Sequence, residues 1–231
     1  MLDTSKVSFS EADFRRKVKL PKHISSDLAE LIGAIVGDGC LSISKTRNSY
    51  VIQLTGHPKD DVQYYDTFLK SAFMNLFNLR VRPVFASNHT YRIEAYSKAI
   101  AQFFNKSIGL PVGKKARIIK IPKTVKNSNH ILPCLRGIID ADFYLASDRG
   151  YPEFGAWFAS RGLVVDLQKE FIKLGMHPKV RLDTEYYDKR WKKHIIRHQI
   201  RIRKKADVKI WFEKIGTKSK KLYNRYFELL G

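Results

Sequence analysis

Apolar side chains recur with a helical period in some stretches of the chain and alternate with polar side chains in others. The order of these stretches occurs twice. The first copy predicts a helix from about residue 25 to 39, strands at 41–44 and 50–55, a helix after Pro58, strands at 81–86 and 91–96, and a helix at 97–105. The second predicts a helix at 127–142, strands at 143–146 and 153–158, a helix at 161–174, strands at 180–186 and 195–203, and helices at 206–215 and 218–230. We therefore predict an α+β fold of two tandem αββαββα repeats, each with a four-stranded antiparallel sheet.

The most apolar part of each copy is a helical run with small residues four positions apart. The two runs read LIGAIVGDG at 31–39 and LRGIIDADF at 135–143. Small residues at this spacing lie on one helix face and allow two helix backbones to approach closely. The small residues predicted to form this helix interface are Gly33, Gly37, Gly137 and Ala141. If the two faces pack together, Asp38 and Asp142 meet at the C-terminal ends of the helices.

The repeat also predicts how the chain is divided. We expect an N-terminal extension at 1–25, a first half at 26–110, a basic linker at 111–126 and a second half at 127–231. Because both halves belong to one chain, we expect the protein to be a monomer.

Charge points to a polyanionic partner. The 231 residues include 43 Lys and Arg against 22 Asp and Glu, which gives a net charge of +21. Phosphate neutralisation by such an excess supplies most of the non-specific affinity of a protein for nucleic acid. A lysine-rich, well-solvated surface is the alternative. Alternation in the strands, as in Ile200-Arg201-Ile202-Arg203, leaves one sheet face basic, and such a face fits the major groove. The residues predicted to contact DNA are Lys45, Arg47, Gln53, Arg80, Arg82, Arg92, Lys120, Arg181, Lys189, Arg190, Lys192, Arg197, Arg201 and Arg203.

Both helical runs resemble the LAGLIDADG motif, and a chain with two copies resembles the monomeric, two-motif LAGLIDADG homing endonucleases of the archaeal or organellar intron-encoded class. The resemblance implies that the two sheets form a saddle over a long, pseudo-symmetric DNA site. It also implies a metal site made by Asp38 and Asp142, the catalytic acids, with the carbonyls of Gly37 and Ala141. The expected cofactor is Mg²⁺ or Mn²⁺, whereas Ca²⁺ is expected to bind without supporting cleavage.

Three positions depart from the family pattern. Phe143 stands where the motif normally ends in Gly, and Gly56 and Ala159 stand where a polar or basic residue usually ends the second strand of each half. These departures leave a binding or nicking relative with an impaired second active site as one alternative. The residues considered as basic substitutes are His57, Arg161 and Lys120.

A second alternative is a LAGLIDADG maturase that binds its intron RNA. Double-stranded DNA is the expected partner, and intron RNA is the partner in the maturase alternative. We expect no membrane association, because no run of about 18 apolar residues occurs. Cys40 and Cys134 lack disulfide or zinc spacing. They are expected to be buried free thiols in a reducing compartment, either cytoplasm or an organellar matrix.

Overall fold

The computed structural model describes residues 1–44, 46–87, 89–189 and 192–231. Up to the linker, the elements are α1 (Glu11–Arg15), α2 (Ser26–Gly37), β1 (Gly39–Ser44), β2 (Ser49–Gly56), α3 (Val62–Tyr64), a π-helical turn (Tyr65–Leu69), α4 (Lys70–Phe77), β3 (Val84–Phe85), β4 (Tyr91–Tyr96), α5 (Lys98–Gln102) and a second π-helical turn (Phe103–Ile108). From the linker onward, they are α6 (Lys123–Lys126), α7 (Ile131–Asp142), β5 (Tyr144–Asp148), β6 (Tyr151–Phe158), α8 (Arg161–Lys173), β7 (Lys179–Asp188), β8 (Lys193–Ile202), α9 (Lys205–Lys214) and α10 (Lys220–Leu230).

Each half contains one four-stranded antiparallel sheet, in the order β1-β2-β4-β3 and β5-β6-β8-β7. One face of each sheet is apolar and buried, as at the paired residues Leu54 and Ile93 and at Phe154 and Ile202. Alternation along the strands therefore leaves the opposite face open to solvent. The predicted α+β fold of two αββαββα repeats is confirmed.

The third strand of the first half is shorter than predicted. Only Val84–Phe85 is a strand, and Arg80 and Arg82 lie in the irregular segment that precedes it. Pro83 has no N–H to donate to a ladder, so pairing with β4 begins only after it. The expectation that the strand begins at residue 81 and includes Arg82 was wrong. The second motif helix is also shorter than predicted, because it begins at Ile131 rather than at 127.

The N-terminal segment is fixed to the first half by one buried carboxylate. Asp13 forms a capping box with Ser10 at the start of α1. It also accepts hydrogen bonds from Ser97 Oγ at 2.6 Å and from the backbone N–H of Ala99 at 3.1 Å, at the start of α5. Hydrogen bonds to the charged carboxylate outweigh the effect of its burial, so the pKa of Asp13 lies below its ordinary value. One side chain thus caps two helices.

Two expectations concern the whole chain. Across the described ranges, no helix is long and apolar enough to cross a membrane. Both cysteines are free thiols. Cys134 is buried as expected, but Cys40 is exposed, which corrects that expectation. Cys40 alternates with the buried Leu41 along β1 and therefore lies on the open face of the sheet.

Candidate active site

Helices α2 and α7 cross through their small residues. A methyl group added to Gly33 would lie 3.1 Å from Gly137 Cα, and one added to Gly137 would lie 2.7 Å from the backbone nitrogen of Ala34. One turn further on, a methyl group on Gly37 would lie 2.5 Å from the Ala141 Cβ. All four small residues singled out from the sequence therefore lie at this crossing, where larger side chains would separate the helices.

The crossing brings the two motif carboxylates together. Asp38 is the C-cap of α2, and Asp142 is the last residue of α7. A methyl group on Gly37 would lie only 2.9 Å from Asp142 Oδ2, so the Asp142 side chain lies against the end of the opposite helix. Two acids that are far apart in the sequence thus share one site between the halves.

Both carboxylates bind protons more tightly than free aspartates. Burial raises the pKa of Asp38 to about 8, with further contributions from the negative charges of Asp142 and Asp61, while Lys115 opposes the shift. Burial also raises the pKa of Asp142 to about 6, again opposed by Lys115. Such a pair is stabilised by any cation that enters between the carboxylates.

Lys115 supplies a positive charge at this site, and our sequence analysis did not single it out. Its ammonium group donates hydrogen bonds to the carbonyl oxygens of Ile35 at 2.5 Å, Val36, and Gly37 at 2.6 Å. A lysine at this position satisfies the unpaired carbonyls of the last helical turn and complements the helix dipole. Burial lowers the pKa of Lys115 to about 8, although Asp142 and Asp38 oppose that shift.

The linker places Lys115 by attaching to both halves. The backbone N–H of Gly113 donates to the carbonyl of Leu41 in β1 at 2.8 Å. Ser160, the N-cap of α8, donates its hydroxyl to the carbonyl of Ile119 at 2.6 Å. The basic linker contains several other lysines, and neither periodicity nor spacing distinguishes Lys115 from them. Only the tertiary structure identifies it.

In the first half, a carboxylate occupies the space where a residue 56 side chain would lie. A methyl group on Gly56 would come 2.7 Å from Asp61 Oδ2 and 2.9 Å from the Tyr65 ring. The same Asp61 oxygen accepts the backbone N–H of His57 at 2.5 Å. Any larger residue at position 56 would therefore displace Asp61. The charged side chain near Asp38 at this point is a carboxylate, whereas the family pattern has a polar or basic residue here.

In the second half, Phe143 packs into the apolar core. Its ring is buried and lies 4.9 Å from the ring of Phe154 between centroids, with Phe158 and Phe171 also in contact. The backbone of Phe143 is extended. A methyl group on Gly39, the corresponding residue of the first motif, would instead lie 2.5 Å from Ile35 Cα. The chain thus leaves the two motif helices along different paths.

The basic residues considered for the second half lie near the start of α8. Ala159 is exposed, and Arg161 forms an exposed ion pair with Asp183 at 3.5 Å. A methyl group on Gly162 would lie 2.5 Å from Cε of Lys120, so the lysine stem covers the first turn of this helix. Neither basic group contacts the motif carboxylates.

The residues predicted to contact DNA have different surroundings. Arg197 lies between the rings of Trp157 and Tyr186, 4.0 Å and 3.9 Å from the ring centroids. The exposed residues of the set are Arg47, Arg80, Arg82, Lys120, Arg181, Lys189 and Lys192. The partly buried residues are Gln53, Arg92, Arg197, Arg201 and Arg203. Lys45 and Arg190 lie outside the described residues.

Several of the partly buried side chains have partners on the open faces of the sheets. Arg201 pairs with Glu153 at 3.5 Å, Arg203 with Asp148 at 2.6 Å and Arg92 with Glu94 at 3.5 Å. Gln53 donates to the hydroxyl of Thr55 at 3.0 Å. These contacts hold the long side chains in place on the sheet surface, where they present N–H donors to a binding partner.

The donor set at the ends of α2 and α7 fits a hard divalent cation. It contains the Asp38 and Asp142 carboxylates, to which the LAGLIDADG resemblance would add the carbonyls of Gly37 and Ala141, and oxygen atoms of these types bind Mg²⁺ and Ca²⁺. The Lys115 ammonium already lies on the Gly37 carbonyl, so this oxygen is oriented toward a positive charge. Among the described residues, no group of three or more His, Cys, Asp or Glu side chains is arranged to hold a metal. Any ion here therefore depends on carbonyls, water or a ligand for its remaining coordination.

Comparison with solved structures shows where this fold occurs. The homing endonuclease I-DmoI, in complex with DNA and Mn, superposes with a TM-score of 0.57 at 18% identity, over 83% of this chain and 96% of that chain. I-WcaI, bound to its DNA recognition sequence, superposes with a TM-score of 0.55 at 14% identity, over 96% of this chain and 93% of that chain. I-DmoI in complex with DNA and Ca gives a TM-score of 0.57 at 18% identity.

Sequence comparison finds a similarity to part of a longer protein. No family model matches the chain. A glutamine–fructose-6-phosphate aminotransferase of Methanocaldococcus jannaschii is 24% identical over 178 residues. The match covers 74% of this chain but only 15% of that much longer protein. The structural matches, by contrast, extend over most of both chains. The protein therefore has the fold of the LAGLIDADG homing endonucleases, in the form in which a single chain carries both motifs.

Proposed function

We propose that this protein is a site-specific, metal-dependent endonuclease that cuts both strands of a long, pseudo-symmetric DNA target. The observation that carries the proposal is the meeting of Asp38 and Asp142 at the crossing of α2 and α7. The two carboxylates have raised pKa values and lie between two sheets with basic open faces. Such a site can bind a cation next to a phosphodiester of the DNA. A mobile intron or intein is the genetic setting that we expect for such an enzyme.

The side chains have separable roles in this proposal. Asp38 and Asp142, with the carbonyls of Gly37 and Ala141, hold the divalent metal. When bound, the metal lowers the pKa of a coordinated water and stabilises the departing oxygen. Lys115 supplies a positive charge at the end of α2, close to both carboxylates, when no metal is bound. The basic side chains of the two sheets position the duplex, and Arg197 is held for this purpose between two aromatic rings.

A nicking enzyme is the second candidate, and the asymmetry of the site favours it. Lys115 contacts the end of α2. In the first half, Asp61 fills the space beside Gly56, whereas the corresponding residue of the second half is the exposed Ala159. Two strands that react in unlike surroundings are cut at unlike rates. Burial of the Phe143 ring leaves the DNA side of the second motif open, and this supports cleavage of both strands.

The test is cleavage of a supercoiled plasmid library that carries candidate insertion sites, with Mg²⁺ or with EDTA. We expect linear product in Mg²⁺ alone, preceded by a nicked intermediate. Nicked circles that never become linear would support the second candidate. A protein that cuts no plasmid but binds intron RNA tightly and speeds its splicing would be a maturase, and the endonuclease proposal would be wrong.

A further inference from the structure

The ammonium group of Lys115 is fully engaged by the end of one helix. A lysine ammonium has three N–H donors, and here they point at three successive carbonyl oxygens, those of Ile35, Val36 and Gly37. The Gly37 carbonyl is also part of the donor set that we propose for the metal. A bound divalent ion and the ammonium would therefore both contact the Gly37 oxygen, which places the two positive charges close together.

The surrounding charges define a site for one cation at a time. Asp38 and Asp142 are both close enough to Lys115 to stabilise its charged form. With the ammonium in place, these carboxylates already have a positive partner. A divalent ion that enters between them would be repelled by an ammonium bound to the shared carbonyl, because like charges at contact distance repel strongly where water is largely excluded.

The linker fixes the backbone of Lys115, so movement of its ammonium would come from the side chain alone. The segment is attached at Gly113 and Ile119, and the carbonyl of Lys115 accepts the backbone N–H groups of Ile118 and Ile119 at 2.9 Å each. Its neighbours Lys114 and Ala116 are exposed. Release of the ammonium therefore requires only rotation of a four-carbon stem toward solvent.

We infer that Lys115 is an exchangeable cation, which occupies the end of α2 in the absence of metal and is displaced when a divalent ion binds. The inference rests on the proposed metal-dependent function. In the metal-free protein, Lys115 stabilises the motif helix and the carboxylate pair. In the metal-bound protein, it is released and faces a phosphate of the bound DNA. Binding of metal thereby frees the positive charge that the DNA backbone needs.

The exchange has a direct chemical readout that does not depend on cleavage. Acylation of each lysine by a water-soluble succinimidyl ester is measured by peptide mass spectrometry, in EDTA and in saturating Mn²⁺. We expect Lys115 to be protected in EDTA and to become several-fold more reactive in Mn²⁺. Lys114, next to it in the chain and exposed, is the internal control and should react equally in both conditions. Protection of Lys115 in both conditions, while Mn²⁺ is bound, would overturn the inference.

A second readout measures the competition itself. Free Mn²⁺ is quantified by electron paramagnetic resonance during titration of the wild type, Lys115→Met and Lys114→Met. Removal of the competing ammonium should tighten Mn²⁺ binding roughly tenfold in Lys115→Met, the scale of one nearby like charge. Lys114→Met should match the wild type. Equal Mn²⁺ affinities of all three proteins would contradict the exchange but would still support the metal site. If no protein binds Mn²⁺, the metal site is wrong and the exchange with it.

Discussion

At the scale of single residues, the two motif aspartates are not equivalent, although they occupy the same position in the repeat. Asp38 follows the last helical residue of α2, and Gly39 is needed next because a Cβ there would strike Ile35. Asp142 is still helical and is followed directly by an extended, buried phenylalanine. Burial raises the pKa of both acids, and the negative charges of Asp142 and Asp61 raise the pKa of Asp38 further. Asp38 is consequently the more strongly perturbed acid, with a pKa of about 8 against about 6 for Asp142.

The raised pKa of Asp38 predicts how stability depends on pH in the absence of metal. The folded-state pKa of about 8 exceeds the ordinary aspartate value of 3.8, so the folded protein binds the proton more tightly than the unfolded chain. Stability is therefore lost as the pH rises from about 4 toward 8. Asp38→Asn removes this loss and should be more stable than the wild type at pH 8, on the order of 2 kcal/mol.

Urea unfolding in EDTA at pH 5 and pH 8 measures this effect. The advantage of Asp38→Asn over the wild type should be larger at pH 8 than at pH 5. Asp27→Asn, which removes an exposed carboxylate in the first turn of the same helix, serves as the control and should show no such difference. An Asp38→Asn protein that is no more stable than the wild type at pH 8 would mean that the carboxylate is not buried beside other negative charge.

At the scale of elements, the crossing of α2 and α7 is the contact that sets the geometry of the site. The backbones approach so closely that a methyl group on Gly137 would lie 2.7 Å from the Ala34 nitrogen and near the carbonyl of Glu30. Backbone atoms inside a helix cannot move aside as a side-chain tip can. The glycine pair therefore fixes both the stability of the interface and the separation of the two carboxylates.

Gly137→Ala should destabilise the protein by about 3 kcal/mol, because overpacking at a backbone contact forces the helices apart. Gly162→Ala is the matched control, since the three atoms nearest to its new methyl group all belong to the flexible Lys120 side chain. Alanine is also the better helix former, so the control should be neutral or slightly stabilising. Denaturant midpoints of the two variants give the comparison. Equal midpoints would refute the close crossing.

At the scale of the whole molecule, the excess of positive charge predicts how the protein associates with DNA. The net charge is +21, and exposed basic side chains occur in both halves and in the linker. If about 8 phosphates are neutralised, the logarithm of the binding constant should fall with the logarithm of salt concentration with a slope of about −7. Binding titrations on one duplex at several salt concentrations measure the slope. A slope near zero would contradict binding of DNA by the basic faces of the two sheets.

The sequence predicts the order of elements well, because hydrophobic periodicity is a local property. It also identifies Gly33, Gly137, Asp38 and Asp142, since the motif occurs twice. It does not identify Lys115, whose role depends on where the linker crosses between the halves.

Two further features of the site also depend on tertiary packing. The burial of Phe143 follows from the direction in which the chain leaves α7. The position of Asp61 beside Gly56 depends on how the end of β2 packs against the following segment, and the sequence pattern of either segment alone does not predict it.

The most direct test of the proposed active site is strand cleavage by Asp38→Asn and Asp142→Asn on a defined target, with DNA binding measured separately in Ca²⁺. Asp60→Asn is the control and should cleave like the wild type. We predict that each motif variant still binds the target but no longer produces linear DNA, with a loss of at least about a hundredfold in rate. Linear product at the wild-type rate from either motif variant would contradict the claim that Asp38 and Asp142 form the active site.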